Sequence, residues 1–454
     1  MNVLFRPILV SLIAAFSELA AAPLRVAAFQ ADATPPIGTP LASGLVKPVT
    51  RIVTPLTARG IVLIGAGEPI VLCAVDWAAI ANEGHDVFCQ ALADAVGTPV
   101  ARVTVHSLHQ HDAPCSDFAT ERVLAAHGMA RVYSDPEFDR AVVQRVAAAA
   151  RSASKNAQPV THLGLGAGIV EQVASNRRVL GPQGKVVFQR NSAAARNPIA
   201  RDAPEGMIDP QVRLVSFWNG ERALAVLTYY ATHPQSYYGQ GLVNWDFVGM
   251  AREIREKALP GVPHVHFNGA GGNVAAGKYN DGAPAMRPIL AERLAAGMEK
   301  AWAAQRKTSI AEADVKWRIE EVGLPVRNSL EEKSLQAKIA DPKVPLAVRV
   351  RAGRDLIFVQ RMRSGRRIPI TCLQLGPAQL LHLPGELFVE YQLAAQAMRP
   401  GEFVAMAAYG DLGPGYIGTE IAYSQGGYET GIVSRVAPSV EGVLSNAIRK
   451  LLTR

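Results

Sequence analysis

Apolar positions along the chain follow two rhythms. Short apolar runs bounded by Gly, Pro or polar clusters read as strands: 25–29, 60–65, 69–77, 101–108, 161–167, 211–217, 222–230, 263–267, 312–323, 368–375, 378–383 and 403–408. Stretches with apolar residues every three or four positions read as helices: 84–97, 246–259, 284–305, 329–364, 386–397 and 438–452. A helix over 136–157 is opened by Asp135 as cap and Pro136 in the first turn. Gly376-Pro377 turns a hairpin between two of the strands. Hairpins mixed with strand–helix–strand units predict an α/β fold in which mixed β-sheets are flanked by helices. Gly65-Ala66-Gly67 is followed by another strand rather than a helix, so it is not a dinucleotide loop.

Composition narrows the class. The chain has 454 residues, 49% hydrophobic and 19% charged, which is enough apolar material for a core and too little charge for a disordered chain. A mean hydropathy of +0.09 excludes a polytopic membrane protein. No repeat of fixed spacing points to a solenoid or propeller. Four cysteines form no CxxC pair, so neither a cysteine zinc site nor a disulfide scaffold is expected. Arg6, the apolar stretch from Ile8 to Phe16 and Ala20-Ala21-Ala22 read as a leader over 1–22, which predicts a secreted or periplasmic protein; an uncleaved anchor is the other reading. In that setting disulfides among the four cysteines become an option, with no pairing legible. No low-complexity linker divides 23–454, which reads as one catalytic domain with a helical insertion over 325–367.

The net charge is +8. Arg349, Arg351, Arg354, Arg361, Arg363, Arg366 and Arg367 crowd one region. They read as a solvated helix face, with peripheral contact to an anionic membrane or envelope surface as the alternative. No aromatics are interleaved with them, so nucleic acid is not an expected partner.

The densest chemical signal is His106-Ser-Leu-His109-Gln-His111-Asp112 after a strand. If the strand continues, His109 and His111 share a face and offer two imidazoles to one metal; a polar loop is the other reading. His233, in Ala231-Thr232-His233-Pro234, follows a strand at the sheet edge where ligands of α/β sheets gather; a structural histidine is the other reading. Glu386, in Leu383-Pro384-Gly385-Glu386, sits at a strand-to-helix turn. It fits either a third metal ligand or a first-turn residue favoured by the helix dipole. The loop from Gly413 through Tyr416 to Tyr428-Glu429 offers phenols that bind zinc or stabilise an oxyanion, or simply a tight surface loop. Asn268-Gly-Ala-Gly-Gly-Asn273 after a strand reads as a backbone-amide nest. No GxSxG elbow occurs.

Taken in order, these segments resemble the neutral/alkaline (non-lysosomal) ceramidase family. Asp32-Ala33-Thr34-Pro35-Pro36-Ile37-Gly38 is similar to its D-I-T-P-P-x-G motif, and His109-Gln110-His111-Asp112-Ala113-Pro114 to T-H-T-H-S-G-P. Asn176-Arg177 matches N-R, Ala231-Thr232-His233 matches A-T-H, and Trp245-Asp246-Phe247-Val248-Gly249 resembles D-F-P-G. Pro384-Gly385-Glu386 matches P-G-E, while Tyr416, Thr419, Tyr423 and Tyr428-Glu429 resemble the closing Y-x-x-T…Y…Y-E. The resemblance implies a zinc enzyme that cleaves the amide of N-acyl sphingosines. It implies that His109, His233, Glu386 and Tyr416 hold Zn²⁺, with His111, Arg177 and Tyr428 as catalytic partners.

Two departures stand out. The family's G-N/D-x-S-P loop reads Gly272-Asn273-Val274-Ala275-Ala276 here, so its serine is missing. The chain also ends near 454, without the family's C-terminal immunoglobulin-like domain. The expected activity is therefore zinc-dependent hydrolysis of an N-acyl amide on a lipid-like or other acylated small molecule. The alternatives are hydrolysis of a carbohydrate or cell-envelope amide or ester, and a non-catalytic secreted binding protein on the same fold.

Overall fold

The computed structural model describes residues 23–453, so the leader expected over 1–22 lies outside the described residues. Three sheets carry the fold, and each repeats one plan. In the first, Arg25–Asp32 lies antiparallel to Thr57–Gly65, which turns back as Gly67–Val75; Val103–Ser107 then joins in parallel after the helix Asn82–Val96. In the second, His162–Ile169, Gln211–Asn219 and Arg222–Tyr230 follow the same antiparallel order. The helix Asp246–Ala258 crosses over to the parallel strand His264–Asn268. In the third, Val315–Val322, Ile368–Leu375 and Ala378–His382 lead through the helix Val389–Ala397 to the parallel Phe403–Ala407. The short strands Gln158–Pro159 and Arg306–Ser309 extend the first two sheets at one edge. This is the mixed α/β arrangement that the hydrophobic pattern predicts.

One face of every sheet points into a shared core. Leu63 and Leu72 from the first sheet, Phe217 and Phe267 from the second, and Leu373 and Leu380 from the third meet there. Helices cover the opposite faces. Val62, Val71 and Cys73 pack with Val142, Val146 and Phe88, and Leu214 and Val226 pack with Phe247 and Leu290. Because both faces are buried, the strands read as continuous apolar runs instead of alternating ones.

Several local expectations are corrected. The helical stretch 329–364 is two helices, Glu332–Ala340 and Leu346–Arg363, because Pro342 and Pro345 interrupt it. They connect the first two strands of the third sheet. The helix expected at 386 starts at Val389. A helix over Phe118–Ala125, capped by the Asp117 side chain, escaped the pattern. All four cysteines are buried and free, so the disulfide option is not taken up. Among the described residues no helix is long and apolar enough to cross a membrane.

Candidate active site

The site lies past the carboxyl ends of the parallel strand pairs, where the three sheets converge. His109 follows Val103–Ser107, His233 follows Arg222–Tyr230, Glu386 follows Ala378–His382, and Tyr416 follows Phe403–Ala407. Each sheet thus delivers a different side chain to one place, as open α/β sheets do at their carboxyl edges.

The expected strand geometry of the His-x-His pair is corrected. The strand ends at Ser107, and His109 takes a left-handed backbone with φ of 66°. That conformation costs a non-glycine residue about 1–2 kcal/mol. It is held by two bonds: the His109 amide donates to the Trp77 carbonyl at 2.8 Å and His109 Nδ1 to the Ala78 carbonyl at 2.6 Å. The ring of His111 still faces the same cleft, edge-on to His109 at 4.7 Å between centroids.

Glu386 is likewise not a first-turn helix residue. It opens a two-residue strand, Glu386–Leu387, that pairs in parallel with Tyr416–Ile417, with Glu386 opposite Tyr416. Most amides of the glycine loop are not free to bind an anion. The amides of Gly269, Ala270, Gly272 and Val274 all bond to protein acceptors. The glycines instead allow close approach: a Cβ on Gly272 would lie 2.3 Å from the Glu386 carbonyl oxygen.

His109, His233 and Glu386 are buried, and their ligand atoms all lie within 4.8 Å of one another. Glu386 Oε2 is 3.2 Å from Nε2 of both imidazoles. His233 Nδ1 donates to the Gly271 carbonyl at 2.7 Å. Carbonyls only accept, so each Nδ1 carries a proton and each Nε2 is turned toward the site. The two Nε2 atoms and a carboxylate oxygen thus converge on one point. Burial keeps His233 from protonating by pulling its pKa below the ordinary value. Burial works against the Glu386 carboxylate, but the His109 and His233 rings outweigh it and hold its pKa well below the usual range. Three converging acceptors are repulsive unless a cation sits among them, and nitrogen and oxygen donors of this kind suit Zn²⁺.

The remaining sequence candidates surround this point. The Tyr416 hydroxyl is 3.0 Å from His233 Nε2 and accepts a bond from Arg177 Nη1 at 3.0 Å. Arg177 is buried and pairs with Glu429, which has no solvent exposure and also binds Arg178. Tyr428 stands at the lip, 47% exposed, with its ring 5.7 Å from that of Tyr416. Desolvation, then the neighbouring His109 and His233, drives the His111 pKa well below the imidazole value, so this ring is neutral at neutral pH. Its Nδ1 lies 3.1 Å from the His109 carbonyl, and Gln235 contacts the ring.

Sequence reasoning missed several neighbours. Gln235 lies two residues beyond His233, so adjacency to a candidate was the available signal; Glu429 stands in the Tyr428-Glu429 motif but was given no role there. Tyr409 is fully buried with φ of 61° and lies 5.0 Å from the His109 ring. Nothing in its local pattern marks it. Ala275, where the family motif has serine, is fully buried and paired with Ser175. Ser175 does not replace the lost hydroxyl, because its Oγ donates to the Ala275 carbonyl at 2.8 Å and accepts from the Lys278 amide.

The architecture is that of a neutral-ceramidase-like α/β fold. The chain superposes on neutral ceramidase from Pseudomonas aeruginosa with a TM-score of 0.68 and 18% identity, covering 94% of this chain and 74% of that one. It superposes equally on a ceramidase complexed with C2, at 0.69 and 17%, with the same coverage. No protein-family model matches the sequence. No curated protein matches it either.

Proposed function

We propose that this protein is a zinc-dependent hydrolase of an N-acyl amide bond. The observation that carries the reading is the convergence of His109 Nε2, His233 Nε2 and Glu386 Oε2 on one point. The shared fold with two ceramidases supports amide cleavage as the chemistry. His109, His233, Glu386 and Tyr416 are the residues that would hold the ion. Zn²⁺ in such a site polarises a carbonyl oxygen and makes water nucleophilic near neutral pH.

The protein's own groups supply the rest. His111, neutral and facing the cleft, takes the proton of the water as its oxygen joins the acyl carbon. It then gives a proton to the nitrogen as the C–N bond breaks, so the products are the free acid and the amine. Arg177, locked by Glu429, sets the Tyr416 hydroxyl and places a positive charge beside the developing oxyanion. Tyr428, at the lip, orients the substrate.

Ala275 brings no hydroxyl to the scissile bond. Loss of one such donor costs about 10²–10³ in rate on a substrate that needs it, which favours a substrate other than an N-acyl sphingosine. A second reading keeps the site but gives it a more polar amide or ester, and the arginine-lined wall of the cleft favours it.

Metal content decides first. The purified chain should hold close to one zinc per molecule, and Glu386→Ala should lose both the metal and the hydrolysis. A folded wild-type chain that stays metal-free after zinc is supplied would overturn the proposal.

A further inference from the structure

The cleft beside His109 and Glu386 encloses about 250 Å³. Two of its wall residues are Arg351 and Arg354, one helical turn apart on Leu346–Arg363 and therefore on one face. They belong to the arginine-rich stretch, but they differ from its other members. Arg349 donates to the Ile339 and His127 carbonyls. Arg361 and Arg366 pair with Asp86, and Arg363 pairs with Glu332. Arg367 donates to the Glu321 carbonyl. Among the described residues Arg351 and Arg354 alone in this stretch have no ion pair and no hydrogen-bond acceptor, although Arg354 lies over the Tyr133 ring at 6.0 Å. Both are half-buried and both face the candidate active site.

The other cationic groups around this cleft are already neutralised. Arg435 pairs with Asp355 at 2.7 Å, and Arg177 with Glu429. A guanidinium drawn out of bulk water without a counter-ion is costly, and a bound cation nearby would raise that cost further. Two such groups at i and i+3 form a ready fork for one oxyanion. The near walls include Tyr238 and Tyr428, with Leu45 and Ile432 on the apolar side. The space suits a small charged group with an adjoining apolar segment.

We propose that the substrate carries an oxyanionic group, a carboxylate or a phosphate, close to the scissile amide, and that Arg351 and Arg354 bind it. This rests on the hydrolase reading above and adds the substrate class. An uncharged N-acyl amino alcohol leaves both guanidinium groups without an oxyanion and is the poorer substrate.

Three compounds with one acyl chain test it on the zinc-loaded full chain: N-lauroylglycine, N-lauroyl phosphoethanolamine and uncharged N-lauroylethanolamine. One or both anionic compounds should exceed the neutral one in kcat/KM by roughly tenfold or more, the scale of a charge-assisted hydrogen bond. Which anion leads distinguishes carboxylate from phosphate. Arg351→Gln and Arg354→Gln, checked for unchanged melting, should each erode that preference, and Arg354→Lys should recover part of it. Cleavage of the neutral amide as fast as the anionic ones overturns the inference and leaves amide hydrolysis standing. If no amide is cleaved, the hydrolase reading fails, and calorimetric binding of the same three compounds decides the inference separately. Selective binding of an anionic compound, weakened in the Gln variants, upholds it; equal binding of all three overturns it.

Discussion

At His109 and His233 the backbone decides which ring nitrogen is free. Each Nδ1 is committed to a carbonyl, Ala78 for one and Gly271 for the other, so each Nε2 is left to face the site. Among the described residues His111 has no carboxylate within bonding distance of its ring, and the proposed mechanism gives it the proton transfer. Replacing it with Ala should leave the bound zinc in place and lower kcat by about 10²–10⁴, the usual contribution of a positioned acid–base group. Zinc assay and turnover on the same preparation check this, and full activity would remove His111 from the mechanism. The direction of its pKa gives a second check. A depressed pKa keeps the ring unprotonated as the pH falls past the ordinary imidazole value near 6.5. The acid limb of kcat/KM should therefore lie below 6.5 and be absent from the residual activity of His111→Ala. At this scale the chemistry of the candidates was readable from residue type, but the conformation was not. Nothing in the local letters announces the left-handed turn at His109.

Short elements set the geometry between ligands. The pairing of Glu386–Leu387 with Tyr416–Ile417 spans two residues, yet it places the carboxylate opposite the phenol. Gly272 underlies it, since its amide donates to the Leu387 carbonyl at 2.7 Å. Gly272→Ala would force a Cβ against the backbone carbonyls of Glu386 and Leu387, which cannot move as a flexible side chain can. The expected cost is about 1–3 kcal/mol of stability, with weaker zinc retention, read by denaturant midpoint and metal assay. Two-residue strands carry no periodicity, which is why this one was read as the first turn of a helix.

Asp117 shows the same scale acting through charge. Its carboxylate caps Phe118–Ala125 and accepts from Asn82 and Thr120, but burial dominates and raises its pKa to about 6. The folded state therefore holds a proton that an unfolded Asp, near 3.8, has released. Stability from this group is complete below about pH 4, falls as pH rises to about 6, and is level above. Asp117→Asn keeps a capping oxygen and cannot ionise. The difference between the two urea midpoints should shift in favour of the variant across that window, and no such shift would refute the assignment.

The whole molecule is three sheets of one plan closed around a common core, and charged groups tie the copies together. Arg252, on the crossover helix of the second sheet, makes a two-point pair with Asp76 at the end of a strand of the first, at 2.9 and 3.0 Å. Both side chains are almost wholly buried. Removing one partner leaves an uncompensated buried charge, so Arg252→Ala should cost about 3–5 kcal/mol. A change in thermal midpoint no larger than that of a surface Arg→Ala control would argue against this role. The repetition was invisible to a search for fixed spacing, because the segments between the first and second strands differ in length and content. In the third copy that segment holds the helices Glu332–Ala340 and Leu346–Arg363, and the second of these brings Arg351 and Arg354 to the cleft.

Local sequence determined the elements themselves. Apolar runs long enough to be buried on both faces became the strands, three-to-four-residue periodicity became the helices, and Gly376-Pro377 became the hairpin turn it predicted. Residue type and order also marked His109, His111, His233, Glu386, Tyr416 and Tyr428 as candidates, because few side chains can hold a cation or move a proton near neutral pH; Arg177 was marked only by the family resemblance. Tertiary structure alone decided how these work together. His109 and Glu386 are separated by most of the chain, and the distance between them depends on how three sheets pack, which no local pattern encodes. The same holds for the arginine stretch. Its spacing says only that Arg351 and Arg354 share a helix face; the packing of that helix turned the face toward the site rather than toward solvent.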